Sequence, residues 1–305
     1  VNTLVVAFIG IILSTLIGLL IGIARLSNNY LIAKLAGGYI ELFRNIPILL
    51  QILFWYNLFI NVFPHPKQSL AFFDIAFLNQ RGLYLPKPIA EDGFIFVALA
   101  FIIGIIAAYL IKKFYKKRHE LTGTHTSTWM YSLGLIVGLP VMVYFLVGSP
   151  LQFDYAVLGK FNLKGGMAVV PEFLALTFAL SVYTATYIAE AIRSGIEAVD
   201  KGQKEAAAAI GLSPIQSLKL IVLPQALRVA IPPTINQYLN FTKNSSLATV
   251  IGYPELMSTF GGTVLNQVGQ AVEILAMAML VYLVISLFIS LLLNYVNKKM
   301  EIQGR

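Results

Sequence analysis

Residues 200–224 read DKGQKEAAAAIGLSPIQSLKLIVLP, and each change of direction in this stretch carries its own local signal. Asp200 suits an N-cap, Gln203 follows three residues on, and an alanine-rich run then favours helix. Gly211 fits the position just past a helix end, where a left-handed residue terminates the helix without strain. Ser213 caps a second helix, with Pro214 at its first position and Gln216 completing a capping box. The stretch therefore predicts two short helices joined at a fixed glycine bend. By spacing alone such a knuckle serves equally well as a connector or as a docking element.

On both sides of this polar knuckle the chain turns apolar. Of 305 residues, 58% are hydrophobic and only 12% charged, where soluble domains carry about a quarter charged residues. That composition excludes an ordinary water-soluble enzyme, and its hydrophobicity excludes disorder. A membrane-spanning helix needs roughly 17–25 apolar residues. Segments 4–23, 46–63, 94–111, 129–147, 173–191 and 274–293 meet or nearly meet that length. A seventh, 221–241, starts apolar but contains Pro232-Pro233, where a break is expected, and several amides. No polar-in alternation of a membrane barrel is present, so the expected fold is all-α, a polytopic membrane bundle of seven spans. Val1 runs almost directly into the first span without a charged leader region, which reads as a chain whose N-terminus is missing rather than as a signal peptide.

The net charge of +8 comes from 22 basic and 14 acidic residues, and their placement explains it. Basic residues concentrate in alternate connections: Arg25, Lys34 and Arg44; Lys112, Lys113, Lys116, Lys117 and Arg118; Arg193, Lys201, Lys204, Lys219 and Arg228; Lys298, Lys299 and Arg305. In the intervening connections Lys67, Arg81, Lys87, Lys160 and Lys164 are offset by Asp74, Glu91, Asp92 and Asp154. The positive-inside rule then puts the basic connections and the C-terminus in the cytoplasm. The charge is a topology signal, and nucleic acid is not the expected partner.

Within the first span Gly10, Ser14, Gly18 and Gly22 recur every fourth residue, which predicts one small-residue face for close helix packing. Glu41 and Arg44, and likewise Glu190 and Arg193, stand three apart and are expected to pair on helix surfaces. No phosphate-binding GxxxxGK[ST] loop, no GxSxG elbow and no metal-binding histidine pattern occurs, and His65, His119 and His125 fall in connections. Cysteine is absent, which removes disulfides and thiol chemistry. Neither a metal nor a catalytic residue is expected.

Glu205-Ala206-Ala207, three residues, Gly211, nine residues, then Ile221-x-Leu223-Pro224 resembles the EAA motif of ABC importer permeases in full. The flanks YIAEAIRSGI (187–196) and KNSSL (243–247), with NTL (2–4), ARLS (24–27) and FRNIPILLQ (43–51), are similar to the polar amino acid branch, the histidine and glutamine type. The resemblance covers 1–63, the first two core helices, and about 171–299, a C-terminal core holding the coupling loop at about 200–224. Between them, 64–170 replaces a short connection with two extra spans, an enlargement like that of the general L-amino acid and glutamate-glutamine-aspartate permeases.

The resemblance implies a type I, MetI-like core with an inserted helical pair, in a bacterial inner membrane. It implies a permease subunit of a binding-protein-dependent importer of L-amino acids, polar, acidic or broad in range. The implied partners are a cytoplasmic ABC ATPase dimer, a second and similar but non-identical permease, and an extracytoplasmic amino acid-binding protein. ATP would bind the ATPase, leaving this chain non-catalytic and without a cofactor. Glu205, Ala206, Ala207, Gly211, Leu223 and Pro224 would form the ATPase-coupling element. Asn236, Asn240 and Lys243 share a helical face. They would line the substrate pathway, or else the amides would bond neighbouring helices and Lys243 would snorkel to the headgroups. A secondary transporter would show repeated halves with membrane-embedded coupling acids, and an assembly subunit would leave the knuckle without a partner.

Overall fold

In a computed structural model, residues 1–123, 127–159 and 163–300 are described, save the side chains of 296, 299 and 300. His125, Lys160 and Arg305 thus lie outside the described residues. Twelve α-helices are present among them: α1 Asn2–Arg25, α2 Tyr30–Asn45, α3 Ile48–Asn61, α4 Phe94–Thr122, α5 Trp129–Leu133, α6 Leu139–Leu146, α7 Pro171–Glu197, α8 Lys201–Ala209, α9 Pro214–Ser217, α10 Leu223–Asn244, α11 Leu265–Val268 and α12 Ala271–Met300. Six helical stretches are long and apolar enough to cross a membrane, or seven if the bent pair of α2 and α3 counts as one. The chain is a multi-pass membrane protein. It divides into two compact units, one of Val1–His65, Asn79–Leu83 and Val169 onward, the other of Pro66–Leu78 and Tyr84–Ala168.

The first unit is organised around α7. Its buried side includes Ala175, Ala179, Ala185 and Ala189 with Thr177, Ser181, Thr184 and Thr186, small residues that let neighbouring backbones approach. Helix α1 answers with Gly10, Ser14, Gly18 and Gly22, all buried. A side chain at Gly22 would lie 3.0 Å from the Ala189 carbonyl oxygen, so the two backbones are nearly in contact. The Ser181 hydroxyl donates to the Gly10 carbonyl at 3.3 Å. Tyr39 donates to the Val182 carbonyl at 2.8 Å, and the hydroxyls of Thr15 and Tyr238 share a hydrogen bond of 2.8 Å. Val6, Ile52, Leu176, Leu180 and Phe241 form the fully buried centre.

Two expectations about the spans are corrected here. Segment 46–63 is too short to cross alone: its helix, α3, has 14 residues, and α2 meets it at 102° just where the segment begins. Pro47 lacks an N–H and forces the residue before it out of the helical region, and Ile46 is extended at φ −92, ψ 127. The buried Gln51 amide holds the corner by donating to the carbonyls of Phe43 at 2.8 Å and Ile46 at 2.9 Å. Conversely, Pro232-Pro233 does not break its helix, since α10 runs through both. The hydrogen bonds the prolines delete would end on the carbonyls of Arg228 and Val229, and all four residues lie on an exposed face. The helical path extends without interruption over Pro214–Ile251, well beyond the expected 221–241.

In the second unit α4 packs on α5 and α6, which are joined through a π-helical turn at Gly134–Gly138. Short antiparallel pairs, absent from the sequence reading, complete it. Leu70–Phe72 pairs with Ala76–Asn79, and Lys87–Ala90 pairs with Leu151–Asp154. The second pair ties the strand before α4 to the strand after α6, clamping the ends of the helical hairpin. Two- to four-residue strands are too short to leave a periodic apolar pattern.

Candidate functional site

The knuckle is built from local chemistry. Asp200 Oδ1 accepts from the Gly202 N–H at 2.6 Å, closing the start of α8. At its end Gly211 adopts φ +80. The Gly211 N–H donates to the Ala208 carbonyl at 3.0 Å and the Leu212 N–H to the Ala207 carbonyl at 3.1 Å, the paired bonds of a Schellman ending. Nothing stands within 4 Å of a Cβ built on Gly211, so backbone angle alone demands glycine there. The Ser213–Gln216 capping box is complete: the Ser213 N–H donates to Gln216 Oε1 at 2.9 Å and the Gln216 N–H to Ser213 Oγ at 3.4 Å.

Glu205 and Ala206 are exposed, and Ile210 stands 74% exposed beside them. Ala207 is fully buried, which corrects its expected place on a docking face. A short surface helix must seat one stripe on its own protein, and Ala207 is the only buried residue of α8. Leu223 is partly exposed and Pro224 half-buried in the first turn of α10, away from the tip. The exposed apolar residues Ile210, Ile215 and Leu220 were not singled out by the sequence reading. Ile210 directly before the Gly211 ending and Ile215 two residues past the Ser213 cap were the available signals; Leu220 carried none.

Along the spans, Arg193 bonds to both Glu190 and Glu197. Glu41 and Arg44 do not pair. The Arg44 guanidinium instead lies over the Tyr187 ring, 4.8 Å from its centroid, because that face offers a partly desolvated aromatic partner while Glu41 stays in the open. Arg44, Tyr187, Glu190, Ser194, Pro233 and Gln237 line a cavity of about 260 Å³, bringing opposite charges to one concave surface.

Asn236, Asn240 and Lys243 all stand exposed on one face of α10. Of the three, Lys243 also lines a cavity of about 580 Å³ with Ser246, Met257, Tyr282 and Ser286. Next to it lies a residue the sequence reading missed. Glu255 is only 1% exposed and accepts from the Ser258 N–H at 2.7 Å, the Thr249 hydroxyl at 3.1 Å and the Tyr282 hydroxyl at 2.6 Å. Those donors tie three segments together. An acid within an otherwise apolar stretch was the sign that should have drawn notice.

The chain is a member of the family described as binding-protein-dependent transport system inner membrane component, whose profile matches residues 10–302. Among its relatives, the general L-amino acid transport system permease protein AapQ of Rhizobium johnstonii is 51% identical over 304 residues, covering all of this chain and 76% of the relative. The putative amino-acid ABC transporter permease protein YhdX of Escherichia coli K12 is 50% identical over 304 residues, again covering the whole chain and 77% of the relative. The glutamate/glutamine/aspartate/asparagine transport system permease protein BztB of Rhodobacter capsulatus is 40% identical over 314 residues, covering 93% of this chain and 73% of that protein. A solved amino acid ABC transporter with histidines shares the fold at TM-score 0.56 and 20% identity, covering 97% of this chain and 90% of that one. The fold is that of the MetI-like permeases of type I importers.

Proposed function

We propose that this chain is an L-amino acid permease subunit that works with a second, similar permease, an ABC ATPase dimer and an extracytoplasmic binding protein. The observation carrying this reading is the knuckle at 200–217: both helices capped at their starts and the bend held by Gly211, with Glu205, Ala206 and Ile210 presented outward. Closure of the ATPases on ATP would push the two knuckles together and convert the pathway from inward- to outward-facing. ATP drives such a change only by binding the closed arrangement better. The relatives named above, all amino acid permeases by description, support the substrate class.

In this reading α10 presents its polar face to the pathway. Lys243 draws the substrate carboxylate, and Asn236 and Asn240 bond either end of a zwitterion. The Arg44–Glu190 cavity offers the two charges a zwitterion needs. Lys243→Met should weaken uptake of labelled glutamate about fivefold relative to glutamine, the factor that ~1 kcal/mol of charge attraction in a watery path carries. Uptake is measured in proteoliposomes holding the whole complex with its binding protein, normalised to assembled complex. Equal, wild-type rates for both substrates would leave Lys243 a snorkelling anchor.

The basic connections support a cytoplasmic location for 112–127 and 194–223, and an extracytoplasmic one for 64–93 and 149–170. A cysteine placed at Lys117 in this cysteine-free chain should resist an impermeant thiol reagent in intact cells and react in inverted vesicles. Ready labelling from outside would overturn the orientation.

A further inference from the structure

Helix α4 is longer than a membrane requires. Its 29 residues span about 43 Å at 1.5 Å per residue, against a hydrocarbon core of about 30 Å. The apolar run ends at Ile111, yet the helix continues unbroken from Lys112 to Thr122. One face of this helix is committed to its own unit: Ala100, Gly104 and Ala108 are buried, and Tyr115 stacks on Tyr131 with centroids 6.2 Å apart. His119 is half-buried as well, while much of the rest of the extension is exposed. Lys112, Lys113, Lys116 and Lys117 are exposed and share one face by the helical repeat. Beside them Leu110, Phe114 and Leu121 form a second exposed stripe, with Phe114 at 64% and Leu121 at 76%. The single acid within the extension, Glu120, meets Lys116 at 3.9 Å with both side chains open to solvent, so it compensates little of the charge.

We propose that this basic end of α4 docks on the anionic phospholipid headgroups of the inner leaflet. The assignment rests on the orientation given above, in which 112–127 is cytoplasmic. Topology alone requires only an excess of positive charge near a span. It does not require three further turns of helix, nor leucine and phenylalanine left bare along them. Where a crossing helix emerges among the headgroups, lysine stems reach outward to the phosphates while neighbouring apolar side chains turn back toward the acyl chains. Clusters of four or more cations beside a span are attracted to an anionic leaflet, and here four stand on one face without a strong counter-ion among the described residues. Phe114 and Leu121 supply the apolar contact that a purely electrostatic cluster lacks. The second unit is thereby tethered at its basic end, with a strength that follows anionic lipid content and falls as salt rises.

The test uses the complete complex in nanodiscs of phosphatidylcholine with or without phosphatidylglycerol. A Leu121→Cys variant, in an otherwise cysteine-free complex, carries an environment-sensitive fluorophore. Emission should shift to the blue when phosphatidylglycerol is present and return when salt is added. The variant K112Q/K113Q/K116Q/K117Q keeps Arg118 as a topology signal and should lose the shift, affinity for the anionic lipid falling about fivefold for each lysine removed. Four arginines at the same positions should retain it. Identical emission in the two lipids would overturn the proposal, as would a shift that survives in the glutamine variant. A blue-shifted emission that is the same in both lipids and is lost when the ATPase subunits are stripped from the complex would assign the surface to a protein partner instead. Labelling of Leu121→Cys from the outer face of intact cells would sink the orientation, and the inner-leaflet assignment with it.

Discussion

Gly211→Val leaves the complex inserted in the membrane but lowers transport-stimulated ATP hydrolysis about tenfold or more. At φ +80 a β-branched residue sits in a region that costs about 1–3 kcal/mol, and the knuckle relieves that cost by unwinding the ending of α8. The paired bonds from Gly211 and Leu212 to Ala208 and Ala207 are then lost, and the angle between α8 and α9 is no longer fixed. Because open space surrounds the glycine, the effect is purely one of backbone angle. Gly211→Asn, which tolerates the left-handed region, should retain most of the activity. A valine variant combined with Glu205→Ala that still co-purified the ATPase and took up substrate at wild-type levels would remove the docking role from this loop.

Gly18→Leu should prevent the first unit from packing, costing about 3 kcal/mol or more through overpacking. A Cβ at this position would lie 2.8 Å from Ile188 Cβ and Cγ2 and 3.0 Å from the Ala185 carbonyl oxygen. The obstruction includes the backbone of α7, which cannot rotate away as a side chain can. Helices α1 and α7 would have to separate along their shared length. Gly38→Ala is the matching control, since nothing lies within 4 Å of its Cβ and alanine favours helix. The measurement is the melting temperature and the yield of monodisperse complex in detergent. Similar values for the two variants would show that close approach of α1 and α7 contributes little to the bundle.

Both substitutions fall on positions that were legible as sequence. The helix caps at Asp200 and Ser213, the ending at Gly211 and the four-residue spacing of Gly10, Ser14, Gly18 and Gly22 are local patterns, and the structure has each of them. The family resemblance rested on the same residues, and the matching family profile covers nearly the whole chain. Proline acts differently at Pro47 and at Pro232-Pro233. Pro47 opens α3 as its place before an apolar run suggested, and the Gln51 amide holds the corner with α2. Pro232-Pro233 leaves α10 unbroken, with both prolines, Arg228 and Val229 on an exposed face. The residue type is the same, and the surroundings decide the outcome.

The sequence by itself determined the apolar helices, the capped knuckle and the small-residue face of the first span. Each of these depends on residues within a turn or two of one another, where propensity and periodicity act directly. Only the tertiary structure decided that Ala207 turns inward, that Arg44 leaves Glu41 for the ring of Tyr187, and that Glu255 is enclosed by donors from three segments. Glu255 finds Tyr282 across 27 positions, and Tyr39 finds Val182 across 143. No local pattern encodes such partners. They are chosen when the helices close on one another, and each buried polar group must then take whichever donor or acceptor the packed neighbour presents.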